Sequence, residues 1–300
     1  MNRIDVVRDY FKYFKNPISA LMFKFNLKNS CEVKLKNHPD TFKIEKVEIL
    51  DRLINKLPVV IDSRYDEFKQ YIDDLISDKE ILVINNLKYV NVYSNNFQKE
   101  HHLWYNVCYD EYFSDDEWNM VDFRGRDVID IGGNAADTAL VFASDGANVI
   151  AFEPVKHLYD LALMNISINE EYKNQIRFIN NGVGGKRGKL ELTAQSLKDY
   201  ADVTENYEVE VITVSDILDK YQIKPDILKI DCEGCEFEII KNEDLSMFKD
   251  IVLEHHAFMV EKDSKLIIDE LKRQGFNVNT YECRASRRKF EEMGFIHAYK

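Results

Sequence analysis

No stretch of the 300 residues is apolar for long enough to cross a bilayer, so no membrane-spanning helix and no membrane partner are expected. Basic charge is also short. Forty Lys and Arg stand against 53 Asp and Glu, a formal net charge of −13. A protein that coats a duplex carries the opposite surplus to displace counterions, so a nucleic-acid partner is disfavoured. The local exception is a basic cluster at Arg284, Arg287, Arg288 and Lys289, read as a solvated loop. The opening residues intersperse Arg3, Asp5, Arg8 and Asp9 among apolar ones and lack the unbroken core of a signal peptide. A reduced, cytoplasmic setting is the expectation. Cysteine is sparse at five residues. Cys232 and Cys235 form a CxxC pair, but no second pair completes a zinc site. Both are read as small side chains in a loop, with neither metal nor disulfide. No internal repeat or low-complexity tract occurs.

What is present suffices for a packed core: 45% of residues are hydrophobic and 12% aromatic. The pattern divides near residue 123. Residues 1–123 read as an accessory α+β region. Val6, Val7, Tyr10, Phe11 and Phe14 lie at helical spacing, read as core packing, and Pro17 stops the pattern. Two β-like runs follow, Glu32 to Lys36 and Thr41 to Glu45, then helices Val47 to Leu57 and Glu67 to Ile76 and an apolar run Ile81 to Ile84.

Residues 124–300 alternate short apolar strands with helices, the signature of a mostly parallel, doubly wound α/β sheet covered on both faces. Strands are expected at Asp127 to Ile131, Asn148 to Phe152, Ile176 to Ile179, Ile227 to Ile230 and Ile251 to Glu254. Two late β segments, Phe276 to Tyr281 and Phe295 to Tyr299, close the chain. A hairpin-like insert spans Lys189 to Thr193 and Glu208 to Val214. Asp137 is expected to cap the first helix of this region.

Ligands of such sheets bind beyond the carboxyl ends of the strands. After the first strand, Asp130-Ile131-Gly132-Gly133-Asn134 lets backbone approach a ligand closely. After the second stands Glu153, placed to accept bonds from ribose hydroxyls. After the fourth, Asp231, Glu233 and Glu236 converge, an arrangement that a cation would relieve, although a helix start also explains Glu236. After the fifth come Glu254, His255 and His256. On extended backbone Glu254 and His256 share a side, and a neutral imidazole there could accept a proton.

In this order the motifs resemble the FkbM family of class I S-adenosylmethionine-dependent methyltransferases, over about Tyr109 to Glu254. Val128 to Asn134 is similar to the family's first-strand motif, and Phe152-Glu153-Pro154 to its ribose-binding strand end. Asn181-Gly182-Val183-Gly184-Gly185 resembles the turn beside adenine. Val211 to Asp216 looks like the strand before the fourth βα unit. Lys229-Ile230-Asp231-Cys232-Glu233-Gly234-Cys235-Glu236 matches the most characteristic segment, and Glu254-His255-His256 the family's Glu-x-His.

The resemblance implies a seven-stranded sheet whose last strand is antiparallel, and S-adenosylmethionine as cofactor. It implies cofactor contacts from Asp130, Gly132, Gly133, Asn134, Glu153, Asn181, Gly182, Val183, Asp231 and Glu233, with His256, Glu254 and Asp231 at the transfer site. The acceptor would be a hydroxylated small molecule or sugar. No bound metal is expected, since no compact ligand motif is present; a metal-assisted variant would use Asp231, Glu233 and His256. The family's usual glycine after Asn134 is missing: the chain reads Ala135-Ala136-Asp137. That departure keeps open a non-catalytic scaffold of the same fold. An NAD-dependent oxidoreductase shares the turn and the ribose acid but not the segment Asp231 to Glu236.

Overall fold

The computed structural model describes residues 3–56, 60, 64–101, 118, 120–193, 206–283 and 288–300. Leu57, Arg284 and Arg287 lie outside them, as do the side chains of Arg3, Asp5 and Val6. The chain forms two compact units. The first comprises residues 1–86, 91–102 and 110–115; the second 87–90, 103–109 and 116–300.

In the first unit, α1 (Arg3–Tyr13) and α2 (Pro17–Lys24) precede an antiparallel pair, β1 (Cys31–Lys34) and β2 (Thr41–Ile44). α3 (Val47–Lys56), α4 (Tyr65–Ile76) and β3 (Ile81–Ile84) follow. Pro17 was expected to end a helix; instead it opens α2. Its ring presets the helical φ, and the amide hydrogen it lacks is one that a first turn leaves unused. Tyr10 of α1 and Phe14, just past its end, are fully buried, as expected of a core stripe, whereas Phe11 is exposed. β4 (Leu87–Val90) belongs to the second unit, and α5 (Asn95–His101) to the first.

The second unit is built on β5 (Asp127–Ile131), α6 (Asp137–Ser144), β6 (Asn148–Phe152), α7 (Lys156–Ile168) and β7 (Ile176–Ile179). A three-stranded insert follows, of β8 (Gly182–Val183), β9 (Gly188–Leu192) and β10 (Tyr207–Ile212). β9 and β10 are antiparallel, as the hairpin pattern suggested. β10 stops at Ile212 because Thr213 caps the next helix. Its hydroxyl accepts the Asp216 N–H at 3.1 Å, and the Asp216 carboxylate accepts the Thr213 N–H at 3.0 Å. Then come α8 (Val214–Tyr221), β11 (Ile227–Ile230), α9 (Glu236–Asn242), β12 (Asp250–His255), α10 (Ala257–Val260), α11 (Lys265–Arg273), β13 (Asn277–Glu282) and β14 (Gly294–Tyr299).

Seven strands make one sheet in the order β13-β14-β12-β11-β5-β6-β7. β12, β11, β5, β6 and β7 are mutually parallel, and β14 runs antiparallel between β12 and β13. The burial of every β11 residue reflects cover on both faces. The carboxyl ends of β6, β5, β11 and β12 therefore share one edge, and Glu153, the Gly132 turn, Asp231 and His256 all leave the sheet there.

Two asparagines of the α7 region tie β4 into this unit. Asn165 Oδ1 accepts the Val90 N–H at 2.8 Å, and its Nδ2 donates to the Ala135 carbonyl at 2.8 Å. Asn169 accepts the Lys88 N–H at 2.9 Å and donates to the Lys88 carbonyl at 2.7 Å. Asn165→Ala would strand a buried N–H and a buried carbonyl. Urea unfolding should show a loss of about 2–4 kcal/mol, against under about 0.5 for a solvent-facing control such as Lys173→Ala.

Candidate active site

The turn after β5 is tight because the backbone of a neighbouring strand end lies against it. Gly132 adopts φ +80°, and a Cβ there would sit 1.6 Å from the Asp231 carbonyl oxygen. A Cβ on Gly133 would stand 2.8 Å from the Phe178 ring. Both glycine N–H groups donate to the Phe152 carbonyl at 3.0 Å. Asn134 (φ +44°) and Ala136 (φ +64°) are left-handed. For alanine this costs about 1–2 kcal/mol, so the missing family glycine leaves the turn's shape intact at the expense of strain. Ala136, rather than Asp137, is the residue that precedes α6, and Asp137 is its first helical residue.

Glu153 closes this turn. One carboxylate oxygen accepts the Asn134 N–H at 3.0 Å and the other the Val155 N–H at 2.8 Å. Burial pushes its pKa up to about 8, only partly offset by these two N–H groups and Lys229. A carboxylate has about four acceptor positions, so hydroxyl donors can still be taken.

Asp130, expected beside a cofactor, is fully buried. One oxygen lies 2.9 Å from Lys229 Nζ, and the other accepts the Thr138 hydroxyl at 2.7 Å. Lys229 Nζ also donates to the Gly132 carbonyl at 2.8 Å and lies 5.1 Å from the Trp118 ring centre. Burial would lower the Lys229 pKa, but Asp130 and Asp231 outweigh it and the ammonium is held charged. Lys229 entered the sequence reading only as part of a motif, because its partner lies on another strand.

The acidic turn after β11 is shaped by Glu233 at φ +56° and Gly234 at φ +111°. Cys232 and Cys235 form a disulfide across it, correcting the expectation of two free thiols. Spacing alone could not show that the turn folds back and brings the sulfurs together. Cys235 Sγ also lies 3.4 Å from the Val183 carbonyl oxygen, which sets the turn containing Asn181, Gly182 and Val183 beside the acidic one. Asn181 Nδ2 donates to the Glu210 carbonyl at 3.2 Å.

Glu236 is not merely a helix-start acid. It is fully buried, and its carboxylate accepts the Gly234 N–H at 2.8 Å and the His256 N–H at 2.6 Å. The same carboxylate lies 3.6 Å from His256 Nδ1. On the other side of the ring, Nε2 is 3.5 Å from Glu233 and 4.0 Å from Asp231. Burial alone would lower the His256 pKa, but Glu236, Asp231, Glu233 and Glu254 outweigh it and push it up to about 10. Asp231 is raised by burial in spite of Lys229 and His256. Glu254 is buried at the end of β12. Asp231, Glu254 and His256 each bring one ligand atom within 4.8 Å of the others. His255 points elsewhere: it packs edge-on to Phe290, and burial lowers its pKa to about 4. Arg288, from the basic cluster, stacks over the Phe258 ring at 3.6 Å.

Two outcomes follow from these charges. Lys229→Met leaves the buried Asp130 carboxyl and the Gly132 carbonyl without their shared partner, so chemical denaturation should show a loss of about 3–5 kcal/mol, partly recovered in Lys229→Met/Asp130→Asn. The raised His256 proton stabilises the fold in full below its ordinary pKa of 6.5, and that contribution is lost as pH climbs through about 10. Glu153 acts in the same direction between 4.5 and about 8. Denaturation of the ligand-free protein should therefore show stability falling from pH 7 to 10, with a shallower slope in His256→Gln.

Comparison with known proteins adds a family. No curated protein matches the chain. A crystal structure of methyltransferase FkbM from Methylobacillus flagellatus KT aligns at 12% identity with TM-score 0.45, covering 84% of this chain and 60% of its own. The present chain thus spans 60% of that protein's length. M. capricolum TrmK, solved with S-adenosyl-homocysteine, aligns at 14% identity with TM-score 0.38, over 58% of this chain and 62% of its own. Residues 130–278 match the methyltransferase FkbM domain, a span that holds the whole rim from Asp130 to His256, and that part of the chain is a domain of the FkbM methyltransferase type.

Proposed function

We propose that this protein transfers a methyl group from S-adenosylmethionine to a hydroxyl of a small metabolite or sugar. The observation that carries the reading is the single rim on which Glu153, the Gly132 turn, Asp231 and His256 stand, at the ends of parallel strands. The residues suit the cofactor. Asn134 Oδ1 is buried at the turn with no hydrogen-bond partner among the described residues, an acceptor placed for a ligand donor. The carboxylates of Asp231, Glu233 and Glu254 favour a positive charge, and a sulfonium with an ammonium supplies it.

S-adenosylmethionine, when bound, contributes an activated methyl group for in-line transfer. In this reading Asn134 Oδ1 and the remaining acceptor positions of the Gly132 and Gly133 carbonyls hold the ammonium of its amino-acid end, and Glu153 accepts its ribose hydroxyls. Asn181, Gly182 and Val183 border the adenine. Asp130 acts from behind, through Lys229 and the Gly132 carbonyl. His256 takes the acceptor's proton at Nε2, with Glu254 and Asp231 orienting it. An imidazole with a pKa near 10 is already protonated at neutral pH. Positive charge among Asp231, Glu233 and Glu254 lowers that value and frees the base, which couples cofactor arrival to readiness for proton transfer.

Calorimetry should show micromolar binding of S-adenosylmethionine and of its demethylated product, and none of NAD or ATP. No binding at millimolar concentration would return the chain to a scaffold. Glu153→Gln should weaken binding about tenfold or more, the loss of roughly one charged hydrogen bond. His256→Ala removes a positive charge that competes with the cofactor, so the dissociation constant should stay level or fall, while turnover drops about 10²–10⁴-fold on whichever hydroxylated acceptor is accepted. Unchanged turnover would remove His256 as base.

A second reading has one specific observation in its favour, the convergence of Asp231, Glu254 and His256. Two carboxylates and one imidazole suit a hard divalent ion such as Mg²⁺ or Mn²⁺, which would acidify the acceptor hydroxyl directly. Activity abolished by a chelator and restored by Mn²⁺ would select it; activity indifferent to both selects the free imidazole.

A further inference from the structure

The proposed chemistry leaves the first helices of the chain without a role. α2 buries Ala20 and Phe23 but exposes Ile18 by 65% and Phe25, its C-cap, by 53%. These two lie seven residues apart, two helical turns on one face, with half-buried Leu21 and Met22 between them. Leu27 follows at 68%, and Phe11 of α1 is 50% exposed. A helix on a globular surface ordinarily turns polar residues outward.

The charge around this face is also reversed. From Val7 to Lys36 seven Lys and Arg stand against two acidic residues, in a chain of net charge −13. Lys36 Nζ donates to the Phe11 carbonyl at 2.7 Å, and the Lys15 N–H donates to the Lys34 carbonyl at 2.7 Å, so basic residues adjoin the end of α1. Lys12, Lys15 and Lys28 are exposed.

We propose that this face docks on an anionic lipid surface, with Phe11, Ile18, Phe25 and Leu27 entering the headgroup boundary and the lysines meeting lipid phosphates. Exposed apolar side chains on a segment rich in lysine are the composition of an interfacial helix. A second copy of the chain fits less well, since a two-fold contact would set this basic patch against itself. RNA fits less well too: Phe11 and Phe25 could each stack on a base, but the more exposed Ile18 and Leu27 beside them could not. Among the described residues no helix is long and apolar enough to cross a membrane, so the contact is with the surface. The inference is independent of the methyl-transfer reading.

The test is co-sedimentation of the full chain with phosphatidylcholine vesicles, with and without phosphatidylglycerol. Binding to the mixed vesicles should be about tenfold or more tighter, and should weaken in high salt. Ile18→Ser/Phe25→Ser and Lys12→Glu/Lys15→Glu should each lower it about tenfold, with melting temperatures unchanged. Should either variant fail to fold, the lipid and salt dependence of the wild-type protein still decides. The proposal is overturned by absent binding to mixed vesicles, by binding that both folded variants retain, by binding to single-stranded RNA that vesicles do not compete, or by a dimer that Ile18→Ser/Phe25→Ser dissociates.

Discussion

A buried ammonium facing a buried carboxylate holds the rim of this sheet together. Lys229 and Asp130 sit on adjacent strands, and neither reaches water. Their pairing fixes β11 against β5 where the two strands end, and the remaining Lys229 bond grips the Gly132 carbonyl. The glycine turn can then lie flush against the Asp231 backbone, a proximity that no side chain at position 132 would permit. Such a pair is a weak source of stability, because desolvating both charges consumes most of what their attraction returns. Its value is positional, since only one relative placement of the two strand ends satisfies both charges.

The second organising feature is an imbalance. One imidazole stands among four carboxylates, and the Lys229 ammonium that acts on Asp231 is already committed to Asp130. Glu236 fixes the His256 backbone and faces Nδ1, while Nε2 is turned toward Asp231 and Glu233. Without a positive ligand the ring keeps its proton. The disulfide between Cys232 and Cys235 restrains the loop that carries Glu233, so the spacing of these charges is set by covalent closure as well as by packing.

Much of the sheet was legible in the sequence, because short apolar runs punctuated by glycine and acidic residues are local signals. The limits of β7 and β11 coincide with the expected ones, and the rim residues follow from the rule that function gathers at strand ends. What local pattern could not reveal depends on distant partners. Glu236 reads as a helix-start acid until the His256 amide is placed beside it. The cysteines read as loop residues until the turn closes. Asp130 looks ligand-facing until Lys229 takes its oxygen. Pro17 was misread for another reason: proline both stops and starts helices, and the choice rests on the residues after it.

The asparagine pair near α7 bears on where this protein can be divided. Leu87–Val90 precedes the sheet by almost forty residues, yet its amides are satisfied by Asn165 and Asn169, and Asn165 also carries the Ala135 carbonyl of the glycine turn. A fragment begun at residue 124 would keep every strand of the large sheet and still expose the inner side of α7, with amide groups that had no backbone to meet. The shortest self-sufficient piece of this unit begins upstream of residue 87, further toward the N terminus than the sheet alone would suggest.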